Sequence, residues 1–117
     1  MVAANDSPSG TADSAVIEWA PFRVRPDVTE ATLLDASEAL QRSFLADQPG
    51  FVRRELLRGA NGEWVDLVYW RDEASANAVI SAVAASPACH AYFSLMENFD
   101  SADPAAGVVH LRRVRAY

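Results

Sequence analysis

The largely apolar stretch VIEWAPFRVR, residues 16–25, with single polar residues at Glu18, Arg23 and Arg25, reads as a strand with Pro21 at a bulge or an unpaired position. Pro26 and Asp27 end it, and the period then changes. Leu33, Ala36, Leu40 and Phe44 recur at helical spacing, Thr29 can cap the first turn, and Pro49-Gly50 stops the chain. The pattern therefore predicts an amphipathic helix over residues 30–47. FVRRELLR (51–58) and EWVDLVYW (63–70) read as strands joined by GANG (59–62), a hairpin loop with glycine at both ends. An alanine-rich helix follows Asp72, with Val79, Ile80 and Val83 inward. Ser86-Pro87 restarts it, and Cys89, Tyr92, Phe93 and Met96 form one apolar stripe. DSADPAAG (100–107) is a loop, and VVHLRRVRAY (108–117) is a closing strand.

The order β-α-β-β-α-β predicts an α+β, ferredoxin-like domain over residues 15–117, with the helices on one face of the sheet. Residues 1–14 are small, polar and turn-prone and are expected to be a disordered tail. The segment 63–70 is apolar on both faces. Trp64, Asp66, Val68 and Trp70 share one, and Val65, Leu67 and Tyr69 share the other. Helices can cover only the first. The second would be a contiguous apolar patch, which soluble monomers avoid, so a homodimer packed sheet against sheet is expected, with Tyr69 in the contact.

Composition narrows the function classes. A chain of 117 residues fits one domain with one modest core. The net charge of -6 argues against a sequence-independent grip on nucleic acid and against an anionic membrane as partner. Cys89 is the single cysteine, so no internal disulfide and no multi-cysteine metal site can form. The N-terminal stretch has neither a basic start nor an apolar run, and no segment approaches the roughly 20 apolar residues of a membrane span. A soluble, cytoplasmic protein is the expectation.

The stretch QPGFVRRELLRGANGEWVDLVYW, residues 48–70, resembles the matching hairpin of the antibiotic biosynthesis monooxygenase family. The resemblance implies a small dimeric α+β barrel of the ferredoxin-like plan. The superfamily also holds polyketide cyclases, isomerases and haem-degrading enzymes. Members that oxidise anthrone-like polyketide intermediates use no metal or flavin, which implies no cofactor here. In them an Asn and a Trp four residues apart on the third strand line a pocket between sheet and helices. Trp70 matches that Trp, while Asp66 stands in place of the Asn. An amide can hold a substrate oxygen, but a carboxylate can also take a proton.

Asp66 is thus the leading catalytic candidate, since burial among aromatics raises a carboxylate pKa toward neutrality. Its competing role is a cross-strand ion pair, which depends on register. A four-residue loop places Glu55 opposite Asp66, and a slip by one places Arg54 there. His110 faces away from Val109 and Leu111 and can share the cleft as acid or base, or be a hydrogen-bonded structural histidine. Trp70, Trp64, Tyr92 and Phe93 are candidate substrate contacts that could equally be core. His90 reads as solvated and Cys89 as a small buried hydrophobe. Two histidines on separate elements form no metal signature, and neither is a defensible axial haem ligand. The expected function is cofactor-independent oxygenation of a hydrophobic aromatic small molecule. The alternatives are a cyclase or isomerase on the same scaffold, or a ligand-binding dimer without turnover.

Overall fold

The computed structural model describes residues 14–117. The expected tail lies outside the described residues except for Ser14, which is buried and accepts hydrogen bonds from Arg113 through its carbonyl (2.9 Å) and hydroxyl (2.7 Å). Four strands and three helices follow in the order β1 (Val16–Arg23), α1 (Glu30–Ser43), β2 (Phe51–Arg58), β3 (Glu63–Trp70), α2 (Glu73–Val83), α3 (Pro87–Phe93) and β4 (Val109–Arg112). The sheet order is β2-β3-β1-β4, with every neighbouring pair antiparallel. This is an α+β, ferredoxin-like sheet.

Local chemistry sets the helix starts. The Thr29, Asp72 and Ser86 side chains each accept a backbone N–H from the first turn of their helix, at 2.8–3.1 Å. These bonds satisfy donors that the helix itself leaves orphaned. Helix α1 is shorter than its hydrophobic period: Phe44 leaves helical geometry (φ -133°, ψ -66°) and Leu45–Asp47 forms a separate 3₁₀ turn. Phe44 stays in the core nonetheless. Gly50 then turns the chain into β2 at φ +78°, where a Cβ would lie 2.0 Å from Ser75 Oγ. Glycine is required there both for the dihedral and for the close approach of α2.

Three details of the strands differ from their sequence reading. Pairing runs unbroken from Val16 to Arg23 against β3, so Pro21 makes no bulge there. Strand β4 pairs only Val16–Trp19, which leaves one flank of β1 open at Pro21 and tolerant of its missing N–H. The irregularity in the sheet lies instead between Phe51 and Arg53. Strand β4 is also shorter than the apolar alternation of 108–117, ending at Arg112. Its partner β1 begins at Val16, directly opposite, and past that pair Arg113 bonds the preceding segment, its backbone N–H donating to the Ala15 carbonyl at 2.9 Å.

The core lies between the helices and one sheet face. Val16, Val68 and Trp70 rise from the sheet to meet Leu33 and Leu40 from α1, Ala76 and Val79 from α2, and Cys89 and Tyr92 from α3. On the opposite face, Tyr69 is buried within the chain itself. Arg53 lies over its ring at 4.6 Å, and its hydroxyl donates to Glu55 at 3.3 Å. Val65 and Leu67 are half-buried, while Trp19, Leu57, Val109 and Leu111 are each more than 40 % exposed. The apolar patch of this face is therefore centred on β1 and β4 instead of on Tyr69. Its residues sit in register, Val109 beside Trp19 beside Leu67 and Leu111 beside Ile17 beside Tyr69.

Candidate active site

The hairpin register decides what Asp66 meets. Gly59 N–H donates to the Glu63 carbonyl, Asn61 and Gly62 take positive φ, and Arg58 pairs with Trp64. Neither of the two registers considered from the sequence results: Leu56 stands opposite Asp66. Glu55 points to the far face. Arg54, diagonal to Asp66 and directly opposite Val68, shares the inner face and reaches across.

The result is a closed polar cluster inside the core. Arg54 Nε donates to Asp66 Oδ1 at 2.8 Å, and Tyr92 Oη donates to Asp66 Oδ2 at 2.7 Å. The two terminal nitrogens of Arg54 donate to the Ser37 carbonyl (3.2 Å), the Ser37 hydroxyl (2.9 Å) and Tyr92 Oη (3.2 Å). Both carboxylate oxygens are thus engaged, and the guanidinium is satisfied from three directions. Burial pushes the Asp66 carboxyl above its ordinary value, opposed by the Arg54 charge and by the bonds from Tyr92 and Arg54. Burial and the Asp66 charge push the Tyr92 phenol far up, so it remains a donor.

Beside this cluster opens a cavity of about 250 Å³ between the sheet and the helices. Its sheet wall carries Glu18 and Phe22 from β1, Asp66 and Trp70 from β3, Arg54 from β2 and His110 from β4. Leu40 of α1 with Phe44 just beyond its end, Val79 and Val83 of α2, and Phe93 of α3 make the helix wall. Phe99, stacked on Phe93 at 4.7 Å, and the loop carrying Asp100 and Asp103 complete the lining. Small-ligand clefts run to about 300–1,000 Å³, so this one suits a compact, mostly apolar molecule.

The structure brings four of the candidate residues to this cavity: Asp66, His110, Trp70 and Phe93. It does not bring the other two. Trp64 lies under Arg58, 5.8 Å from its guanidinium, and lines a separate depression near Trp19. Tyr92 is fully buried behind the wall, where its hydroxyl holds Asp66. Cys89 is buried at the cavity edge, and burial pushes its thiol up, so it offers no thiolate.

Two residues escaped the sequence reading. Ser37 sits within the apolar stripe of α1, between Leu33 and Leu40, and its misfit polarity was the available signal. Glu18 is the more consequential. It alternates with Val16, Ala20 and Phe22 on the inner face of β1, an acid in an apolar row. Trp70 Nε1–H donates to Glu18 Oε1 at 3.1 Å, and His110 Nε2 stands 3.7 Å from the same oxygen. His110 is its direct cross-strand neighbour. Burial raises the Glu18 carboxyl above its ordinary value, against the lowering effects of the Trp70 N–H and His110, while the charge of Asp66 adds to the rise.

Among the described residues, no three His, Cys, Asp or Glu side chains converge as a metal site, and no helix is long and apolar enough to cross a membrane. Fold and cavity together define an α+β, ferredoxin-like scaffold whose cavity wall carries Glu18, Asp66 and His110. The family model for antibiotic biosynthesis monooxygenases matches residues 15–93, and the chain belongs to that family. Among solved structures it is similar to SnoaB, a cofactor-independent oxygenase from Streptomyces nogalater (TM-score 0.61, 22% identity, 89% of this chain and 95% of that one). It is also similar to Rv0793 from Mycobacterium tuberculosis (TM-score 0.60, 20% identity, 88% and 98%). A third relative in structure is a protein of unknown function from Nitrosomonas europaea (TM-score 0.60, 14% identity, 90% and 94%). At these identities the likeness is one of fold. None of the curated proteins matches the chain.

Proposed function

We propose that this protein is a cofactor-independent monooxygenase that oxidises a compact aromatic small molecule of polyketide type. The observation that carries the reading is the cavity itself: apolar and aromatic walls around a few convergent groups able to exchange protons, on a monooxygenase-family scaffold. For an anthrone-like substrate the chemistry balances with dioxygen as the oxidant. A cavity base removes one proton from the ring methylene, and the C–H electron pair stays on carbon. The carbanion passes one electron to O₂, and the radical pair combines to a carbon-bound peroxide, which is protonated. Loss of the second methylene proton then forms the carbonyl as the O–O bond breaks and water leaves. The substrate supplies the electrons, and the protein supplies orientation and proton transfer.

Oxygen-electrode measurements with anthrone test this. One O₂ should be consumed for each anthraquinone formed, without added metal or flavin. Aldol-type cyclisation without oxygen uptake would move the protein to the cyclases or isomerases. Tight binding without any turnover would make it a ligand-binding protein.

The working unit in this proposal is a homodimer, supported by the exposed apolar row around Trp19, Leu57, Val109 and Leu111. A second copy covers this face, burying on the order of 1,000 Å² or more in total. Light scattering at micromolar concentration should return twice the 12.7 kDa chain mass. Trp19→Glu, placing a charge between Leu67 and Val109, should return the monomer. A Trp19→Glu dimer as tight as wild type would mean the contact lies elsewhere.

A further inference from the structure

We infer that Glu18 is the proton acceptor of the cavity, with His110 as its proton outlet, and that Asp66 is a positioning residue. This rests on the reading that the cavity deprotonates a bound carbon or phenol acid. Lone pairs and neutralising charge distinguish the two acids. Both oxygens of Asp66 are occupied, by Arg54 and by Tyr92, and a permanently charged guanidinium is its partner. To take a proton, Asp66 must give up one of these bonds inside the core. Glu18 is differently placed. Among the described residues its contacts are the neutral Trp70 N–H on Oε1 and His110, 3.7 Å from the same oxygen, and no guanidinium pairs with it. Its one basic neighbour, His110, can itself gain or lose a proton.

Position agrees with this. Glu18 lines the cavity beside Trp70, whose indole N–H fixes the carboxylate while the ring forms a substrate wall. The other charged or titratable groups on the cavity are Asp66 with Arg54, Cys89, and Glu97, Asp100 and Asp103 from the segment after α3, while the linings from α1 and α2 are apolar. His110 is about one-fifth exposed on β4, the edge strand, and can pass a proton onward to water. In the step itself the substrate C–H bond breaks, its electron pair remains on carbon, and the proton forms a carboxylic acid at Glu18. That acid returns to carboxylate by protonating His110.

Proton abstraction can be measured apart from oxygenation. Anthrone is incubated anaerobically with the protein in deuterated buffer, and loss of its methylene proton signal is followed by NMR. Wild type should exchange these protons faster than buffer, with a rate that climbs with pH through a midpoint above the ordinary Glu value of about 4.3. Glu18→Gln keeps an oxygen for the Trp70 N–H but cannot take a proton. It should lose about 10²–10⁴-fold of the catalysed exchange and the pH-dependent rise. Its affinity for anthraquinone, read by tryptophan quenching, should be unchanged. If Glu18→Gln fails to bind anthraquinone, Glu18→Ala, which has no group to take the proton, decides. Slower exchange with normal binding supports the assignment, and wild-type exchange overturns it. Wild-type exchange in a binding-competent Glu18→Gln, or a wild-type protein that binds anthrone and leaves its protons in place, also overturns it. Exchange that needs Glu18 but is never followed by oxygen uptake keeps the assignment and sinks the oxygenase reading alone.

Discussion

Arg54→Met should lower the stability of this protein by about 3–5 kcal/mol at neutral pH, because it leaves Asp66 buried without its counter-charge. Both side chains are at least nine-tenths buried, so water cannot replace the lost partner. The pH dependence follows from direction alone. Burial already holds the Asp66 carboxyl above its unfolded value, and removing the guanidinium that opposes this raises it further. A raised carboxyl costs nothing below the unfolded pKa, near 3.9, where both states are protonated. The penalty grows as pH rises from there through the folded pKa, where the native state must ionise an unpaired acid. Thermal unfolding should therefore show a gap between wild type and Arg54→Met that is wide at pH 7 and narrow near pH 4. The double variant Arg54→Met/Asp66→Leu should recover most of the loss, because an apolar pair replaces a buried ionic one at little net cost. The remainder belongs to the hydroxyls of Tyr92 and Ser37, which lose their partners. A single variant as stable as wild type at pH 7 would show that Asp66 is not ionised in the native state.

Trp70→Ala should be as damaging, at about 3–5 kcal/mol, or on the order of 10–20 °C in Tm for a domain of this size. Trp70 is 1% exposed, packs edge-on against Phe51 at 5.8 Å and stands in the centre of the sheet between β1 and β2. The milder Trp70→Phe separates its two roles. It keeps most of the packed area but removes the N–H that lowers the Glu18 carboxyl. Binding of anthraquinone should be nearly retained, while the rising limb of the pH–rate profile moves to higher pH. A limb that stays in place would mean that Glu18 does not set it.

Much of the architecture was legible because local chemistry and tertiary structure agree here. The three caps at Thr29, Asp72 and Ser86 are read from single residues, and the apolar stripes of α1 and α3 bury the side chains their periods select. Where the reading failed, the deciding contact lay far off in the chain. Strand β4 ends at Arg112, opposite the first residue of β1, and Tyr69 is covered by Arg53 and Glu55 although its own strand is apolar on that side. The tryptophans flanking Asp66 looked like its neighbours, yet its chemical partners come from β2 and α3.

The sequence by itself determined the kind of each element, the face each buries, and the presence of a carboxylate on an inward-facing row of β3, because a two- or 3.6-residue period and a capping side chain act within a few residues. Only the tertiary structure decided which groups each inward-facing acid meets. Pairing of Arg58 with Trp64, one residue later than the glycines suggested, sets Leu56 opposite Asp66 and swings Arg54 onto it diagonally. Helix α1 delivers Ser37 and α3 delivers Tyr92 to complete that pair. The antiparallel pairing of β1 with β4, ninety residues away, sets His110 beside Glu18. Electrostatic partners are chosen by distances of a few ångströms in space, and no spacing along the chain encodes them.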